Sequence, residues 1–266
     1  MFKRPTKQCS GEPVTPYSKL AEVYDYLMRH VDYVHWADYI ESIFDRFDVS
    51  PDTILELACG TGTLSSILSE RGYNMTGVDH SNAMVGVAQH KTQERKQDIA
   101  FLQGDMVAPP VTGPFDSAIC LYDSVNYLME PGNIIQMLKA VNSRITPGGL
   151  FIFDACTEIN SRRYFNRQIE REGTDDFSYI RRSKYLAKER IQVNEFQLLV
   201  KRGGRHYQHF ERHEQKIYPI TKILEACYTA GFDIAGTFDG FTFSPATERS
   251  NRVHFVLRVP WDNQSG

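Results

Sequence analysis

The sequence predicts a doubly wound α/β fold interrupted by an antiparallel insertion. Three observations predict it. Short apolar runs alternate with amphipathic stretches between residues 53 and 154, a glycine-rich turn follows the first run, and long alternating segments replace this pattern between residues 177 and 218. Parallel neighbours need crossover helices on both faces, so alternating strand and helix signals call for a sheet covered on each side. A chain of 266 residues has room for one such domain and an insertion.

Residues 1–16 hold three prolines and little apolar content, which predicts a flexible arm. Helical spacing follows: Leu20, Val23, Tyr24 and Leu27 form one stripe, and Trp36, Ile40, Ile43, Phe44 and Phe47 form another. Two helices parted near residues 31–34 satisfy both stripes. After Ser50-Pro51-Asp52 come strand 53–57, helix 63–71, strand 75–78, helix 81–92 with Ser81 as its cap, and strand 99–103. Strand 116–121, helix 132–145 and strand 150–154 complete the series, with Pro147-Gly148-Gly149 as the turn into the last strand.

Three antiparallel strands are predicted at 177–186, 190–201 and 205–218, with turns at Lys188-Glu189 and Gly203-Gly204. Helix 220–230 then ends at Gly231, and strands 232–238 and 253–259 return to the main sheet. The expected division is an arm over 1–16, a main domain over 17–155 and 219–260, and an inserted antiparallel lid over 156–218.

The formal net charge of -3 argues against bulk nucleic acid or an anionic membrane as the main partner. No apolar run reaches the length of a signal peptide or a membrane span, so a cytoplasmic protein is expected. Five cysteines, widely spaced and without a CxxC pair, speak against disulfides and a structural zinc. Cys59, Cys120 and Cys156 fall near predicted strand ends and read as small buried residues.

A strand that ends in a glycine-rich turn and opens a helix leaves backbone amides free for a ligand. Residues 58–63, ACGTGT, form such a turn. The dinucleotide fingerprint needs a third glycine after Gly60 and Gly62, and Ser65 stands there instead. Glu56, four residues before Gly60, would repel a pyrophosphate but suits a sulfonium. Asp79 ends the next strand, where a carboxylate can accept both ribose hydroxyls, a feature shared with nicotinamide sites.

Through ELACGTGT, GVDHSNAMV, QGDM and PGGLFIFD, the sequence resembles the class I S-adenosylmethionine-dependent methyltransferases over residues 17–259. The resemblance implies a Rossmann-like seven-stranded sheet of order 3-2-1-4-5-7-6 with strand 7 antiparallel. It implies S-adenosyl-L-methionine as the cofactor, with Gly60 and Gly62 near the methionine part and Asp79 on the ribose. Asp105 and Met106 would contact the adenine and Met84 would pack on its ring. Ala58, His80, Gly104 and Leu121 complete the expected set. The segment YDYLMRHVDYVHWADYI further resembles a bacterial branch similar in layout to amino-sugar N-methyltransferases, in which aromatic residues ahead of the first strand fold over the cofactor. Tyr24, Tyr33 and Trp36 match them. Aromatic faces attract a sulfonium, and a tyrosine hydroxyl can bind the methionine carboxylate.

On the acceptor side, residues after the fourth strand should face the methyl group: Leu121, Tyr122, Asp123, Ser124, Asn126 and Tyr127. Methyl transfer is a direct displacement, so alignment and water exclusion suffice unless the acceptor must lose a proton. Asp123, Tyr127 and His213 are the candidates to assist that loss. His213 belongs to a run in which Tyr207, His209, Glu211, His213 and Gln215 alternate onto one strand face, either a pocket wall or a solvated surface. No metal site is expected from it.

Residues 161–205 carry 12 Lys and Arg against 6 Asp and Glu, a local +6 that leaves -9 elsewhere. A solvated sheet face accounts for this, and attraction of an anionic acceptor is the sharper alternative. The expected function is methyl transfer to nitrogen or oxygen of a small molecule. RNA or protein methylation, and a cofactor-binding regulatory protein without transfer activity, stay open. LYDSVNYL after the fourth strand lacks the N/D-PPY pattern used on bases.

Overall fold

The structure, a computed structural model, describes residues 14–261. Most of the expected arm, and Cys9 within it, lies outside the described residues. Residues 14–16 are not free: the Val14 amide donates to the Phe210 carbonyl at 3.0 Å.

Some of the helices begin where the sequence supplies a side-chain cap. A 3-10 turn over Leu20–Val23 runs into α1 (Tyr24–Leu27), and Asp32 then accepts the His35 amide at 2.9 Å to start α2 (Tyr33–Arg46). Next come β1 (Thr53–Leu57), α3 (Thr63–Glu70), β2 (Asn74–Asp79) and α4 (Asn82–Arg95). Ser81 caps α4 by accepting the Met84 amide at 3.4 Å. The helix outlasts its expected end because Lys96, with φ +57°, turns the chain only after Arg95. β3 (Ala100–Gln103), β4 (Phe115–Cys120), a 3-10 turn over Ser124–Tyr127 and α5 (Pro131–Asn142) follow.

β5 runs over Ile145–Cys156 and is far longer than the predicted strand. Pro147-Gly148-Gly149 is not the turn into it but an irregularity inside it. Phe115 pairs with Ile145 and Ser117 with Leu150, so the extra residues bulge out of the ladder, and Gly148 takes φ +84° there. α6 (Glu158–Tyr164) leads to four antiparallel strands, β6 (Gln168–Gly173), β7 (Phe177–Leu186), β8 (Ile191–Arg202) and β9 (Arg205–Lys216), where three were expected. QIEREG carries no apolar alternation; cross-strand contacts to β7 hold β6, where Glu170 faces Arg181 and binds both its guanidinium and the Tyr179 hydroxyl. α7 (Ile220–Thr229), β10 (Asp233–Asp239) and β11 (Arg252–Arg258) close the chain, with Gly231 at φ +83° ending α7 as its position predicts.

The main sheet has the order β10-β11-β5-β4-β1-β2-β3, with β11 antiparallel to both β5 and β10. With the inserted strands set aside this is the expected 3-2-1-4-5-7-6. Side chains alternate across it. Leu55, Leu57, Phe151, Phe153 and Phe255 pack under α5 and α7 with Leu138, Val141 and Ile223. Ile54, Ile119, Ile152 and Val256 pack on the opposite face with Trp36, Ile40 and Ile43 of α2 and Leu64 and Leu68 of α3. Glu56 shares the parity of Ile54, which aims its carboxyl at the α2 and α3 side.

The inner face of the four-stranded sheet divides along the strands. Tyr179, Phe196 and Leu198 form its apolar half and pack against Leu20, Val23, Leu27 and Met28. Asn194, Glu211, His213 and Gln215 form a buried polar half. The N-terminal segment is therefore fixed by the insertion, a contact of residues nearly 200 positions apart. Among the described residues, no helix is long and apolar enough to cross a membrane.

Close packing around the glycine turn is testable at Gly77. A Cβ there would stand 2.5 Å from Cδ1 of Phe101 and 2.9 Å from Sγ of Cys59. Gly77→Ala is expected to cost about 2 kcal/mol of stability through overpacking. An unchanged denaturation midpoint would contradict that packing.

Candidate active site

β1 ends at Leu57, and the chain then reverses through Ala58 (φ +52°), Gly60 (φ +55°) and Gly62 (φ +70°) into α3. A left-handed conformation at Gly62 admits no side chain, since a Cβ would meet the Phe101 ring at 2.6 Å. The carboxylate of Asp79 accepts the Gly60 amide and the Ser81 amide, each at 2.8 Å, and so ties the end of β2 to the turn. Ser65, which replaces the third glycine of the dinucleotide pattern, donates its hydroxyl to Glu56.

Two cavities meet at this turn, with volumes of about 410 and 370 Å³. Tyr17, Tyr24, Ala58, Gly60, Ser124 and Tyr127 line both. The smaller cavity is walled by Asp79, His80, Met84, Gly104, Asp105 and Met106. The larger one is walled by Tyr33, Trp36, Glu56, Leu121, Asp123 and His213. Thus the expected cofactor and proton-acceptor residues except Gly62 line one cavity or the other, and Gly62 stands one residue behind Thr61, which lines the larger. Asn126, expected to face the methyl group, lines neither: it is buried, donating to the Lys216 carbonyl at 2.8 Å and accepting the Cys156 amide at 2.9 Å. Asp105 has one oxygen on the Val107 amide at 3.0 Å.

The donor set fits an adenosine joined to a sulfonium amino acid. Met84, Met106, Val107 and Leu128 give the smaller cavity apolar walls beside a buried carboxylate, Asp79. The larger adds the aromatic rings of Tyr24, Tyr33 and Trp36 around Glu56. Those groups would hold the cofactor.

Asp123 is engaged rather than free. It forms an ion pair with Arg252 at 2.8 Å and accepts Gln215 Nε2 at 2.6 Å, while Arg252 also binds Asp154. Burial holds the Asp123 and Asp154 carboxyls above the usual range, against the opposing pull of the Arg252 guanidinium. The guanidinium lies 5.3 Å from the centre of the Trp36 ring and 5.1 Å from that of Tyr122.

Tyr127 and His213 belong to a hydrogen-bonded chain. The Tyr17 and Tyr127 hydroxyls are 2.5 Å apart, Tyr127 is 3.2 Å from Nδ1 of His213, and Nε2 of His213 is 3.1 Å from Glu211. On β9 only the inner half of the alternating face is buried: Glu211 is 3%, His213 1% and Gln215 4% exposed, whereas Tyr207 is 44% exposed. Of the two readings of this face, the solvated one holds at Tyr207 and the buried one from Glu211 onward, since β9 runs past the packed segment at the Tyr207 end. Gln215 lines the larger cavity with His213. Among the described residues no cluster of three or more His, Cys, Asp or Glu could hold a metal ion.

Sequence reasoning missed Tyr17, Arg181, Gln192, Asn194 and Arg252, all on the cavity walls. Tyr17 ends a proline-rich stretch with no periodicity, and the others reach the cavity through strand pairing across long sequence separations.

Residues 54–149 match a family described as Methyltransferase domain. YqeM of Bacillus subtilis (strain 168), a candidate methyltransferase, is 32% identical over 240 residues, which are 90% of this chain and 95% of that one. An S-adenosylmethionine-dependent methyltransferase from Clostridium acetobutylicum superposes with a TM-score of 0.80 at 24% identity, over 92% of this chain and 99% of its own. The sugar N-methyltransferase KedS8 from Streptoalloteichus sp. gives a TM-score of 0.75 at 18% identity, over 97% and 99%. At these identities the structural likeness speaks for the fold.

Burial pushes the Glu56 carboxyl up to about 7, with the Asp79 charge adding and the Ser65 hydroxyl opposing. The folded state thus keeps this proton above the ordinary value of 4.5, and the stability it contributes is lost as pH rises through about 7. A positive sulfur beside Glu56 favours the ionised form. Affinity for S-adenosylmethionine, relative to the neutral thioether S-adenosylhomocysteine, should rise up to about tenfold from about pH 6 to about pH 8. Calorimetry across that range checks it; Glu56→Gln should flatten the ratio, and a flat ratio in the unmodified protein would remove Glu56 from the site.

Proposed function

Because the chain belongs to the class I S-adenosylmethionine-dependent methyltransferases, we propose that it methylates a nitrogen or oxygen of a small polar molecule held in the larger cavity. The observation that carries this reading is the wall of that cavity opposite the glycine turn. Side-chain amides of Gln192, Asn194 and Gln215, with His213, line it from the inner face of the inserted sheet. They are buried and each is hydrogen-bonded: Gln192 donates to Gln215 at 2.8 Å, Ser183 to Asn194 at 2.6 Å, and Gln215 to Asp123 at 2.6 Å. A satisfied polar network of this kind is rigid, and it offers its remaining donors and acceptors in fixed directions.

The charge of the wall supports a neutral or amine acceptor over an anionic one. Arg181 is paired with Glu170 and Arg252 with Asp123, so both arginines of the larger cavity are matched, and Glu56 remains over. The sugar N-methyltransferase among the similar structures makes amino sugars the first acceptors to try.

Bound S-adenosylmethionine supplies a methyl group on a positively charged sulfur. The residues of this chain orient the acceptor, exclude water and take up its proton. We assign that last task to His213 rather than to Asp123, whose carboxylate is held by Arg252. Glu211 accepts the Nε2 proton of His213, which leaves Nδ1 to accept from Tyr127. Burial raises the pKa of Tyr17 and of Tyr127, so both pass a proton on as neutral hydroxyls.

The first test is incubation with methyl-labelled S-adenosylmethionine and a cell extract, followed by separation of metabolites, RNA and protein. Label is expected in the metabolite fraction. Label confined to RNA or protein, or binding without any labelled product, would overturn the small-molecule reading. With an acceptor identified, His213→Ala should lower turnover by about 10² or more while cofactor affinity holds. Unchanged turnover would exclude His213 as the proton acceptor.

A further inference from the structure

Beyond lining the cavities, the N-terminal segment crosses over them, and its fastening is unusual. The Glu211 carboxylate accepts four hydrogen bonds. Its Oε1 receives the Lys19 amide at 2.7 Å and the Leu20 amide at 2.8 Å, and its Oε2 receives the Tyr17 amide at 2.6 Å and Nε2 of His213 at 3.1 Å. No side chain of the segment itself caps the 3-10 turn that begins at Leu20. A residue from β9, 191 positions away, does so instead.

From that anchor the segment spans the smaller cavity. Thr15, Pro16 and Tyr17 line it, and the Tyr17 carbonyl accepts the hydroxyl of Ser81, the cap of α4, at 3.1 Å. Tyr17 is held at φ +63°, a conformation that L residues rarely adopt, so the bonds to Glu211 and Ser81 oppose a backbone that would relax once they break. Its ring stands at the seam of the two cavities, 4.5 Å from the His213 ring and 5.8 Å from both the Tyr24 and the Tyr127 rings.

We propose that Glu211 is a latch: it closes the strap Tyr17–Leu20 over the cofactor and, through the oxygen shared by the Tyr17 amide and His213, sets the acceptor wall in place in the same movement. The proposal rests on the reading of the paired cavities as donor and acceptor sites. Glu211 is on this account a positioning residue, acting through the strap and through His213. Opening the latch frees three amides and lets Tyr17 leave the seam, which gives the cofactor its way in and out. Closing it completes the proton path from Tyr17 through Tyr127 to His213, so donor binding precedes assembly of the acceptor side.

A carboxylate that only caps a turn would matter for folding and not for binding, and the two roles separate experimentally. S-adenosylhomocysteine is the probe, read by calorimetry together with amide hydrogen exchange at residues 17–20. Failure of the unmodified protein to bind it would overturn the donor-site reading itself. With that binding established, Glu211→Gln presents one acceptor oxygen in place of two and should weaken S-adenosylhomocysteine by about tenfold or more. The ligand-dependent protection of residues 17–20 should vanish with it. Glu211→Asp, which keeps the charge near His213 but shortens its reach, should show the same two changes at smaller size and serves where the glutamine variant does not fold. A variant that melts close to the unmodified protein yet keeps both the affinity and the protection would overturn the latch.

Discussion

The carboxyl edge of the main sheet gathers four acids, and the rest of the site is arranged around the cost of keeping them there. Glu56 stands one residue before the end of β1, Asp79 ends β2, Asp123 follows β4 and Asp154 lies in β5, with Arg252 the guanidinium that pairs with two of them. Removing an ionised carboxyl from water without a partner costs several kcal/mol. Each is therefore compensated in its own way: Glu56 by the Ser65 hydroxyl, Asp79 by two backbone amides, Asp123 and Asp154 by Arg252. The compensation is incomplete at Glu56, whose carboxyl is pushed up to about 7. An edge short of positive charge is the physical setting in which a sulfonium is preferred to a pyrophosphate.

The same cluster shapes the backbone. Tyr122 and Asp123 are consecutive residues at φ +61° and φ +52°, a conformation that costs of order 1–3 kcal/mol per non-glycine residue. It persists because the Asp123 amide donates to Asp154 at 2.9 Å while its side chain is held by Arg252 and Gln215. The sharp turn drops the following 3-10 turn, and with it Tyr127, toward β9. Strain at the end of β4 thus aligns the phenol with His213, a residue 86 positions away.

What was legible in the sequence follows the range of the forces involved. The glycine turn and the two acids at 56 and 79 are local features, each set by a strand and the few residues after it, and the order of the main sheet followed from the family those local motifs resemble. The acceptor side is built from contacts between β9, the N-terminal segment and β11, for which no local pattern exists. Glu211 was visible only as one member of an alternating polar face; its partners, the amides of residues 17, 19 and 20, carry no side-chain signature at all. β6 was invisible for a related reason, since its pairing rests on Glu170 with Arg181 and Tyr179 rather than on apolar alternation. Pro147-Gly148-Gly149 misled because a bulge and a turn need the same residues.

Charge counted along the chain misleads in the same way. The basic excess of the inserted segment would suggest an anion-binding pocket, yet Arg181, the arginine of that segment that reaches the larger cavity, is matched, and others pair at short range. Arg190 pairs with Glu158 at 2.8 Å, Arg202 with Glu22, and Arg181 with Glu170. Arg202 joins the insertion to the N-terminal segment, so part of the excess helps hold the two together. A field that attracts an acceptor needs charges of one sign facing a common cavity. The larger cavity instead presents two arginines against three carboxylates, Glu56, Asp123 and Glu170. On the proposed reading, recognition there would rest on the direction of hydrogen bonds from Gln192, Asn194 and Gln215, and selectivity of that kind grows as the network around it becomes more completely satisfied.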